Sequence, residues 1–453
     1  MNPIPLSELA VMAGARPVQG SPDQPITTVS KDSRSIRPGD LYVALRGENF
    51  DGNAFAADAV ARGAAAVLLD SEDAAAGLTV PVLLADNGLA ALQRLAAAWR
   101  SRLALRVVCI TGSNGKTSTK EFTAGVLGSV YRVTKTVGNL NNHIGVPLSI
   151  LSATTDDDVA VWETGMNHAG EIAPLAALAR PDVAIITNIG VAHIEYLGSR
   201  DAIALEKGTL AEAVPESGTI ILSSDDDKTP EISDRCRGRV VRAGLSGGDL
   251  TADSLVESDA GCTFQVVVDG ERHPASINAN GEHMVRNALL ALAAGLALDV
   301  PIDQAIKGLA ATQLVGGRLE RRIIAGVIFL DDTYNASPDS VEAALKTLRS
   351  LPGSGRRIAV LGKMGELGDY AAKGYERAGR SAAATADILV TVGPEAGAIA
   401  SAARDARLGR THEVDDTISA ARMLKSLARP GDIVLVKGSR SARMESVIEH
   451  FKN

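Results

Sequence analysis

Short runs of aliphatic residues alternate with helical patterns along most of this 453-residue chain. The runs are four to six residues long and almost free of polar side chains, a pattern typical of strands that are buried on both faces. Helical stretches separate most of them, which is the alternation expected of parallel sheets with right-handed crossovers. The sequence therefore predicts an α/β protein.

The order of these elements predicts three domains. Residues 1–85 are expected to form a small α/β domain, residues 86–314 a central parallel-sheet domain, and residues 315–453 a Rossmann-like domain. Residues 239–280 are richer in Gly, Asp and short β-like runs, and we expect an antiparallel flap there. The predicted strands are residues 40–45, 65–70, 106–110, 158–162, 183–187, 219–222, 326–330, 357–361, 388–392 and 432–436. The predicted helices are residues 54–62, 89–103, 201–213, 283–297 and 303–309, with one more beginning near Lys116.

Composition narrows the class of protein. Aromatic residues make up 3% of the chain, so the cores must be built from Ala, Val, Leu and Ile. A formal charge of −8 argues against broad nucleic-acid binding. Cys109, Cys236 and Cys262 are too scattered for a disulfide framework or a zinc cluster, which favours a reducing cytoplasm. We see neither a signal-peptide pattern nor an apolar run of the ~18 residues that span a bilayer, and expect a cytoplasmic protein without membrane insertion.

A glycine-containing loop follows the strand at 106–110 and precedes a helix. Glycines let the backbone wrap a polyphosphate with its amide N–H groups pointing inward, and the helix N-terminus adds a positive dipole. Lys116 would then neutralise the β- and γ-phosphates of ATP, and Thr117 would bind Mg²⁺. The loop is shorter than usual, since Ile110 stands where a further glycine is expected, and a glycine turn with a surface lysine is the alternative. The candidate nucleotide-binding residues are Thr111, Gly112, Ser113, Asn114, Gly115, Lys116, Thr117 and Ser118.

Two further candidates follow buried strands. Glu163 comes directly after one strand and His193 shortly after another. Ligands of open parallel sheets bind outside the carboxyl ends of the strands, so we expect both side chains to converge near the Thr117 hydroxyl. A carboxylate and an imidazole could serve two divalent ions there, although Mg²⁺ prefers oxygen ligands. The alternatives are an ordinary strand-end charge for Glu163 and a capping or core histidine for His193.

Asparagines and one lysine complete the set of candidates. Asn139, Asn141 and Asn142 lie in a glycine-flanked turn, which could hold a polar substrate or be only a turn. Lys207 is the only lysine in the helical stretch 201–213, and the pattern alone favours a solvated side chain.

Taken together, these segments resemble the Mur ligase family, whose members extend the peptide of the bacterial cell-wall precursor. The resemblance covers essentially the whole chain, and in this family the shortened loop is the normal form. It implies that Lys207 is carbamylated by CO₂ and binds a second Mg²⁺, and that Asn287 recognises adenine. It further implies that Arg318 contacts phosphate and that Asp332 meets the ATP ribose. The candidate catalytic residues are then Lys116, Lys207, His193 and Arg318, and the candidate metal ligands are Thr117, Glu163, His193 and Lys207.

Segments of the first and third predicted domains indicate the substrates. Residues 331–340 and 360–368 are similar to those of the family member that adds D-alanyl-D-alanine to UDP-N-acetylmuramoyl-tripeptide. Residues 38–47 are similar to the family's UDP-sugar-binding domain. Lys363 and Asn53 depart from the family pattern, where Asp and His are common. The implied substrate-binding residues are Ser30, Asp32, Ser33, Arg34, Asn139, Asn141, Asn142, Tyr334 and Asn335, with less weight on Lys437, Gly438 and Ser439.

The reaction implied by this resemblance is an ATP-dependent ligation through an acyl phosphate, with release of ADP and phosphate. Since ATP contacts would come from the second and third domains, we expect closure about a hinge near residues 311–317. Folylpolyglutamate synthesis, a P-loop regulatory or motor protein, and an inactive nucleotide-binding scaffold are the alternatives. We expect a monomer that does not bind nucleic acid. The third peptide residue, diaminopimelate or lysine, stays open.

Overall fold

The computed structural model describes residues 1–452. Its strands are β1 (Ile4–Pro5), β2 (Arg16–Gln19), β3 (Pro25–Ile26), β4 (Thr28–Ser30), β5 (Asp40–Val43), β6 (Arg46–Gly47), β7 (Phe50–Asp51), β8 (Ala66–Leu69), β9 (Val82–Leu84), β10 (Arg106–Thr111), β11 (Val133–Lys135), β12 (Val159–Glu163), β13 (Val183–Ile186), β14 (Thr219–Ser223), β15 (Arg239–Gly244), β16 (Leu250–Ser258), β17 (Gly261–Val268), β18 (Glu271–Ile277), β19 (Glu320–Ile324), β20 (Val327–Asp332), β21 (Arg357–Leu361), β22 (Ile388–Val392), β23 (Thr411–Val414) and β24 (Ile433–Lys437). Its α-helices are α1 (Leu6–Ala13), α2 (Ala56–Ala61), α3 (Gly88–Arg100), α4 (Lys116–Gly128), α5 (Gly145–Ser152), α6 (Ile172–Ala179), α7 (Ile194–Leu197), α8 (Arg200–Glu212), α9 (Thr229–Ser233), α10 (Glu282–Ala297), α11 (Ile302–Ala310), α12 (Pro338–Ser350), α13 (Ala371–Thr385), α14 (Gly397–Asp405), α15 (Thr417–Leu427) and α16 (Glu445–Lys452).

The predicted strands and helices are confirmed, with ends that differ by up to three residues. β21 and β22 occupy the predicted residues and are buried along their whole length. Strands of this kind carry aliphatic side chains on both faces because helices cover a parallel sheet on both sides. The fold class inferred from the sequence is therefore correct.

The chain forms two compact units. The first comprises Met1–Cys109, Tyr131–Met166 and Gly170–Asp182. It contains a five-stranded sheet in the order β2-β9-β8-β5-β4, in which β2 is the antiparallel edge and the other strands are parallel. In the same unit β11 pairs in parallel with β12, so that Lys135 lies opposite Val161, two residues before Glu163.

The second unit comprises Ile110–Val130, Asn167–Ala169 and Val183–Asn453. Strands β13, β14 and β15 pair in parallel, and β16, β17 and β18 continue the sheet, the last two pairs being antiparallel. The prediction of an antiparallel flap over residues 239–280 is therefore wrong for its first strand. β15 is parallel to β14, and α10 packs against it, so it belongs to the helix-covered part of the sheet. The antiparallel part begins at β16.

A second sheet of this unit has the order β19-β20-β24-β21-β22-β23 and is called the C-terminal sheet below. Its four central strands are those predicted, and they are parallel. The edge strands β19 and β23 had no aliphatic run to reveal them, since most of their residues are polar or charged. The core on one face of the sheet contains Phe329, Val360, Val390 and Val436, which are completely buried.

No helix in residues 1–452 is long and apolar enough to cross a membrane.

Candidate active site

The glycine-containing loop of residues 111–117, called the phosphate loop below, is held in place by the two residues that follow β13. The Thr187 N–H donates to the Thr111 carbonyl (3.0 Å), and the Ser113 N–H donates to the Asn188 carbonyl (2.9 Å). The Asn188 side chain accepts from the Asn114 N–H and donates to the Asn114 carbonyl, both at 3.0 Å. The loop is thus tied to β13 by backbone and side-chain bonds, which sets its shape before a ligand arrives.

Two glycines of the loop are required by close approach. Gly112 has φ +147°, and a Cβ there would lie 1.9 Å from the Thr187 hydroxyl oxygen. Gly115 has φ +80°, and a Cβ there would lie 2.5 Å from the Asn287 side-chain oxygen. Helix α4 begins at Lys116, directly after this left-handed residue, so its first N–H groups face the loop. The predicted strand, loop and helix setting is therefore present.

Lys116 and Thr117 lie at this helix start. The Lys116 ammonium donates to the Gly112 carbonyl at 2.7 Å, across the loop. Thr117 is buried, and its hydroxyl accepts a hydrogen bond of 2.9 Å from Arg318. The Arg318 guanidinium lies 4.3 Å from the centre of the Tyr334 ring, a distance typical of cation–π contacts. A cation from the residues just before the C-terminal sheet therefore reaches the predicted phosphate site.

Two further residues lie against the loop. The Ser337 hydroxyl, which also caps α12, donates to the Asn114 side-chain oxygen at 2.9 Å. Asn287 is buried beside Gly115, with the Met284 sulfur 4.0 Å from its amide nitrogen. Asn287 thus lies where a base attached to a loop-bound triphosphate could reach it, and its recognition of adenine stays a prediction.

Lys207 is the most unusual of the predicted residues. It lies on α8 with no exposed surface, and among residues 1–452 its ammonium nitrogen has no hydrogen-bond partner. Burial, and after it the charge of Lys116, lowers the pKa of Lys207 well below its usual value. The prediction of a solvated lysine from the helical pattern alone is therefore wrong. A buried amine without a partner is costly, so it indicates a chemical role.

His193 lies after β13 with a left-handed backbone, φ +65°. Its Nδ1 atom is 2.5 Å from the carboxylate of Glu366, a residue that the sequence did not single out. Burial lowers the pKa of His193, against the opposing effect of Glu366. A neutral imidazole can act as a ligand through its second nitrogen.

Asp332, Asn335 and Lys437 form one group at the ends of β20 and β24. The Lys437 ammonium donates to the Asp332 carboxylate at 2.6 Å and to the Asn335 carbonyl at 2.9 Å. Lys437 is buried, as is Ser439 two residues on. Asp332 therefore has an internal partner, and its contact with a ribose stays a prediction.

Glu163 and the asparagines lie in the first unit. Glu163 is 1% exposed at the end of β12, and its carboxylate accepts from the Asn141 side chain at 3.3 Å. Asn142 accepts from the Gly145 N–H at 2.9 Å at the start of α5, and the Asn139 carbonyl accepts from the Asn141 N–H. Asn141 is thus brought to the predicted metal ligand, while Asn142 has a structural bond. The convergence of Glu163 with Thr117 stays a prediction.

The residues predicted to bind the UDP-sugar lie at the end of β4 and in the turn that follows it. Arg34 donates twice to the Asp32 carboxylate, at 2.9 and 2.8 Å, and its hydrogen bonds lower the pKa of Asp32 to about 2. Ser30 accepts from the Asp32 N–H, and Ser33 is buried. Arg34 itself is exposed, with donors available on the surface of the first unit.

Sequence reasoning missed the residues that position the others. Thr187 ends a predicted strand, Asn188 follows it, and Glu366 lies in the segment 360–368 that the family resemblance marked, but their ordinary polar types gave no signal of their partners. Only the folded geometry shows which side chains they hold.

Comparison with known proteins finds matches over most of the chain. Family models match residues 25–100 (Mur ligase family, catalytic domain), 110–295 (Mur ligase middle domain) and 317–440 (Mur ligase, glutamate ligase domain). The UDP-N-acetylmuramoyl-tripeptide–D-alanyl-D-alanine ligase of Bacillus subtilis is 36% identical over 93% of this chain and 92% of its own. The enzyme of the same name from Escherichia coli is 35% identical over 99% and 98%.

Solved structures agree with the sequence relatives. The crystal structure of MurF from Acinetobacter baumannii has a TM-score of 0.90 and 32% identity, covering 99% of both chains. MurF ligase from Thermotoga maritima, solved in complex with ADP, has a TM-score of 0.82 and 28% identity, covering 94% of this chain and 97% of its own.

Proposed function

This chain belongs to the Mur ligase family, and we infer that it is the ATP-dependent ligase that joins D-alanyl-D-alanine to UDP-N-acetylmuramoyl-tripeptide. One structural observation carries this inference. The segment typical of that reaction, residues 331–340, contacts the phosphate loop through the hydrogen bond from Ser337 to Asn114. Its Tyr334 also packs on Arg318, which donates to Thr117. The product is the UDP-linked pentapeptide precursor of peptidoglycan.

The reaction follows from the chemistry of the two substrates. A free carboxylate is a poor acylating agent, so the terminal carboxylate of the tripeptide first attacks the γ-phosphorus of ATP. An acyl phosphate forms and ADP leaves. The amine of D-alanyl-D-alanine then attacks the acyl carbon, loses a proton, and expels phosphate from the tetrahedral intermediate. Lys116 and Arg318 would offset the charge that gathers on the transferred phosphoryl group.

We further propose that the site takes Mg²⁺ and that Lys207 carries a carbamate. Mg²⁺, held by Thr117, Glu163, His193 and a carbamate on Lys207, would add positive charge at the phosphoryl group. Lys207 suits this because its amine is buried, unpartnered and has a lowered pKa. The neutral amine attacks the carbon of CO₂ and releases a proton, so that an anionic oxygen ligand replaces the amine.

The remaining proposals concern the substrate-binding residues, the cellular compartment and the oligomeric state. Ser30, Asp32, Ser33 and Arg34 would bind the UDP-sugar, where the exposed Arg34 could face the diphosphate. Tyr334 and Asn335, with Asn139, Asn141 and Asn142, would line the path of the peptide. We propose a cytoplasmic monomer, acting on soluble precursors.

Phosphate release gives the direct test of the function. Purified protein with ATP and Mg²⁺ is expected to release phosphate only when a UDP-muramoyl-tripeptide and D-alanyl-D-alanine are both present. Assays with the diaminopimelate and the lysine tripeptide in parallel identify the third residue. ATP turnover that is independent of the dipeptide would instead indicate a regulatory ATPase, and the absence of dipeptide-dependent release with both tripeptides would refute the assignment.

Arg318→Lys is expected to lower kcat/KM for ATP by about 10- to 100-fold, which corresponds to roughly 1.4–2.7 kcal/mol. Lysine keeps the charge but loses the planar fork that reaches Thr117 while stacking on Tyr334. Steady-state kinetics at varied ATP measure the effect. Arg380→Lys, at an exposed ion pair on α13, is the control and should behave as the parent does. Equal kinetics for the two variants would remove Arg318 from the phosphate site.

A further inference from the structure

The first turn of α12 lies against the loop of residues 187–193, called the β13 loop below. The Asp339 carboxylate on this turn accepts a hydrogen bond of 2.8 Å from the Val191 N–H through its Oδ2 atom. A Cβ at Gly190 would lie 2.2 Å from the same oxygen. The carboxylate therefore occupies the space that any side chain at position 190 would need.

The β13 loop is bound from three sides through consecutive N–H groups. Residue 189 donates to the Asp226 carboxylate after β14 at 2.6 Å, and residue 190 donates to the Ser113 hydroxyl of the phosphate loop at 2.9 Å. Residue 191 donates to Asp339. Because these three donors are adjacent in the chain, the β13 loop connects the phosphate loop directly to the start of α12.

The second oxygen of Asp339 is held from within the C-terminal part of the chain. Arg377 on α13 donates to it at 3.0 Å and donates twice to Glu342, at 3.0 and 2.8 Å. Acidic residues in the first turn of a helix are usually explained by the helix dipole. Here the carboxylate instead joins two separate elements, and bonds to an ionised acceptor are stronger than those between neutral groups.

We propose that Asp339 is a positioning residue that docks the C-terminal sheet and α12 on the β13 loop, and so sets the affinity for ATP. The proposal rests on the proposed function for the identity of the nucleotide, while the docking contact does not depend on it. Docking at Asp339 brings Ser337 to Asn114 and Arg318 to Thr117. Asp339 itself touches neither the phosphate loop nor the reacting atoms in this scheme.

The kinetic test compares Asp339→Ala, Asp339→Asn and Glu342→Ala. Asp339→Ala is expected to raise KM for ATP by about 10-fold, because a smaller docked fraction raises the apparent dissociation constant in proportion. Saturating ATP restores the docked state, so kcat should stay within about threefold of the parent's value. Asp339→Asn keeps an acceptor oxygen and should recover most of the affinity.

Glu342→Ala is the matched control, since it removes a carboxylate from the same arginine without touching the β13 loop. It should leave KM for ATP within about twofold of the parent's value. An equal rise for Glu342→Ala and Asp339→Ala, or a loss in Asp339→Ala that falls on kcat alone, would overturn the proposal.

Gly190→Ala tests the contact from its other side. Its Cβ would meet the Asp339 carboxylate at 2.2 Å, whereas the Asn114 amide nitrogen, at 3.4 Å, is at ordinary contact distance. Gly190→Ala alone is therefore expected to raise KM for ATP about as much as Asp339→Ala does. Combined with Asp339→Ala it should add less than about twofold, because the clashing oxygen is gone. Effects that multiply in the double variant would show that the two residues act separately, against the proposal.

Hydrogen exchange tests the docking without ATP or activity. Mass spectrometry of peptides that cover residues 187–193 is expected to show faster deuterium uptake at Val191 in Asp339→Ala than in the parent and in Glu342→Ala. Equal uptake in all three proteins would overturn the docking role. The expected exchange pattern, together with no dipeptide-dependent phosphate release by the parent, would instead refute the ligase function alone.

Discussion

Lys207→Met is expected to lose ligase activity by about 10³-fold or more and, in CO₂-free buffer at neutral pH, to unfold at a higher temperature than the parent. The loss follows because the carbamate is proposed to hold a metal ion, and metal stabilisation of phosphoryl transfer amounts to several kcal/mol, about 1.4 kcal/mol for each factor of ten. Met replaces the amine at similar length without opening a cavity. Phosphate release and a thermal melt measure the two effects.

The gain in stability has a defined pH dependence. The folded-state pKa of Lys207 lies below the usual 10.5, so between these two values the unfolded chain binds a proton that the native protein does not. The parent's stability therefore rises with pH across this window. Met has no such proton, so the advantage of the variant is largest below the window and shrinks as the pH approaches 10.5.

The control for Lys207 is an exposed lysine on another helix. Lys307 lies on α11 with an exposed side chain, and Lys307→Met should change neither activity nor melting temperature. With ¹³C-labelled bicarbonate, the parent is expected to show a carbamate carbonyl signal that Lys207→Met lacks. Full activity in Lys207→Met, or identical spectra for the two proteins, would remove the carbamate from the mechanism.

The sequence predicted those parts of the fold in which local pattern and tertiary environment agree. β21 and β22 are aliphatic on both faces and are buried on both faces, so their bounds were correct. β19 carries Glu320, Arg321 and Arg322 and gains its pairing only from the neighbouring β20, which no local pattern records. β15 was assigned to the flap because its pairing direction depends on β14, twenty residues earlier, and not on its own composition.

The candidate site shows the same division. Lys116 and Thr117 were found because a loop and a helix start form a local motif. Lys207 had no local signal, since a helical pattern does not tell which face will be sealed from water, and only the family resemblance marked it. Glu366 was not singled out within its segment, because its partner is 173 positions earlier and the contact exists only in the folded second unit. Chemistry-bearing residues were thus easier to predict than those that hold them.

Lys116→Met is expected to lower the rate of ADP formation in a single turnover with the tripeptide by about 10³-fold or more, since cations placed against a transferred phosphoryl group have effects of about 10³–10⁵. The ammonium lies across the phosphate loop on the Gly112 carbonyl, where a triphosphate would meet it. Lys116→Arg keeps the charge with a different shape and should retain more activity than Met.

The charge of Lys116 also acts on Lys207, and this gives the decisive control. It contributes to the lowered pKa of Lys207, but burial is the larger cause, so the pKa should stay lowered and the ¹³C carbamate signal should persist in Lys116→Met. Lost turnover with the signal intact assigns the defect to the phosphate site. Lost turnover together with a lost signal would mean that Lys116 acts by keeping Lys207 neutral, and unchanged turnover would refute its role at the phosphates.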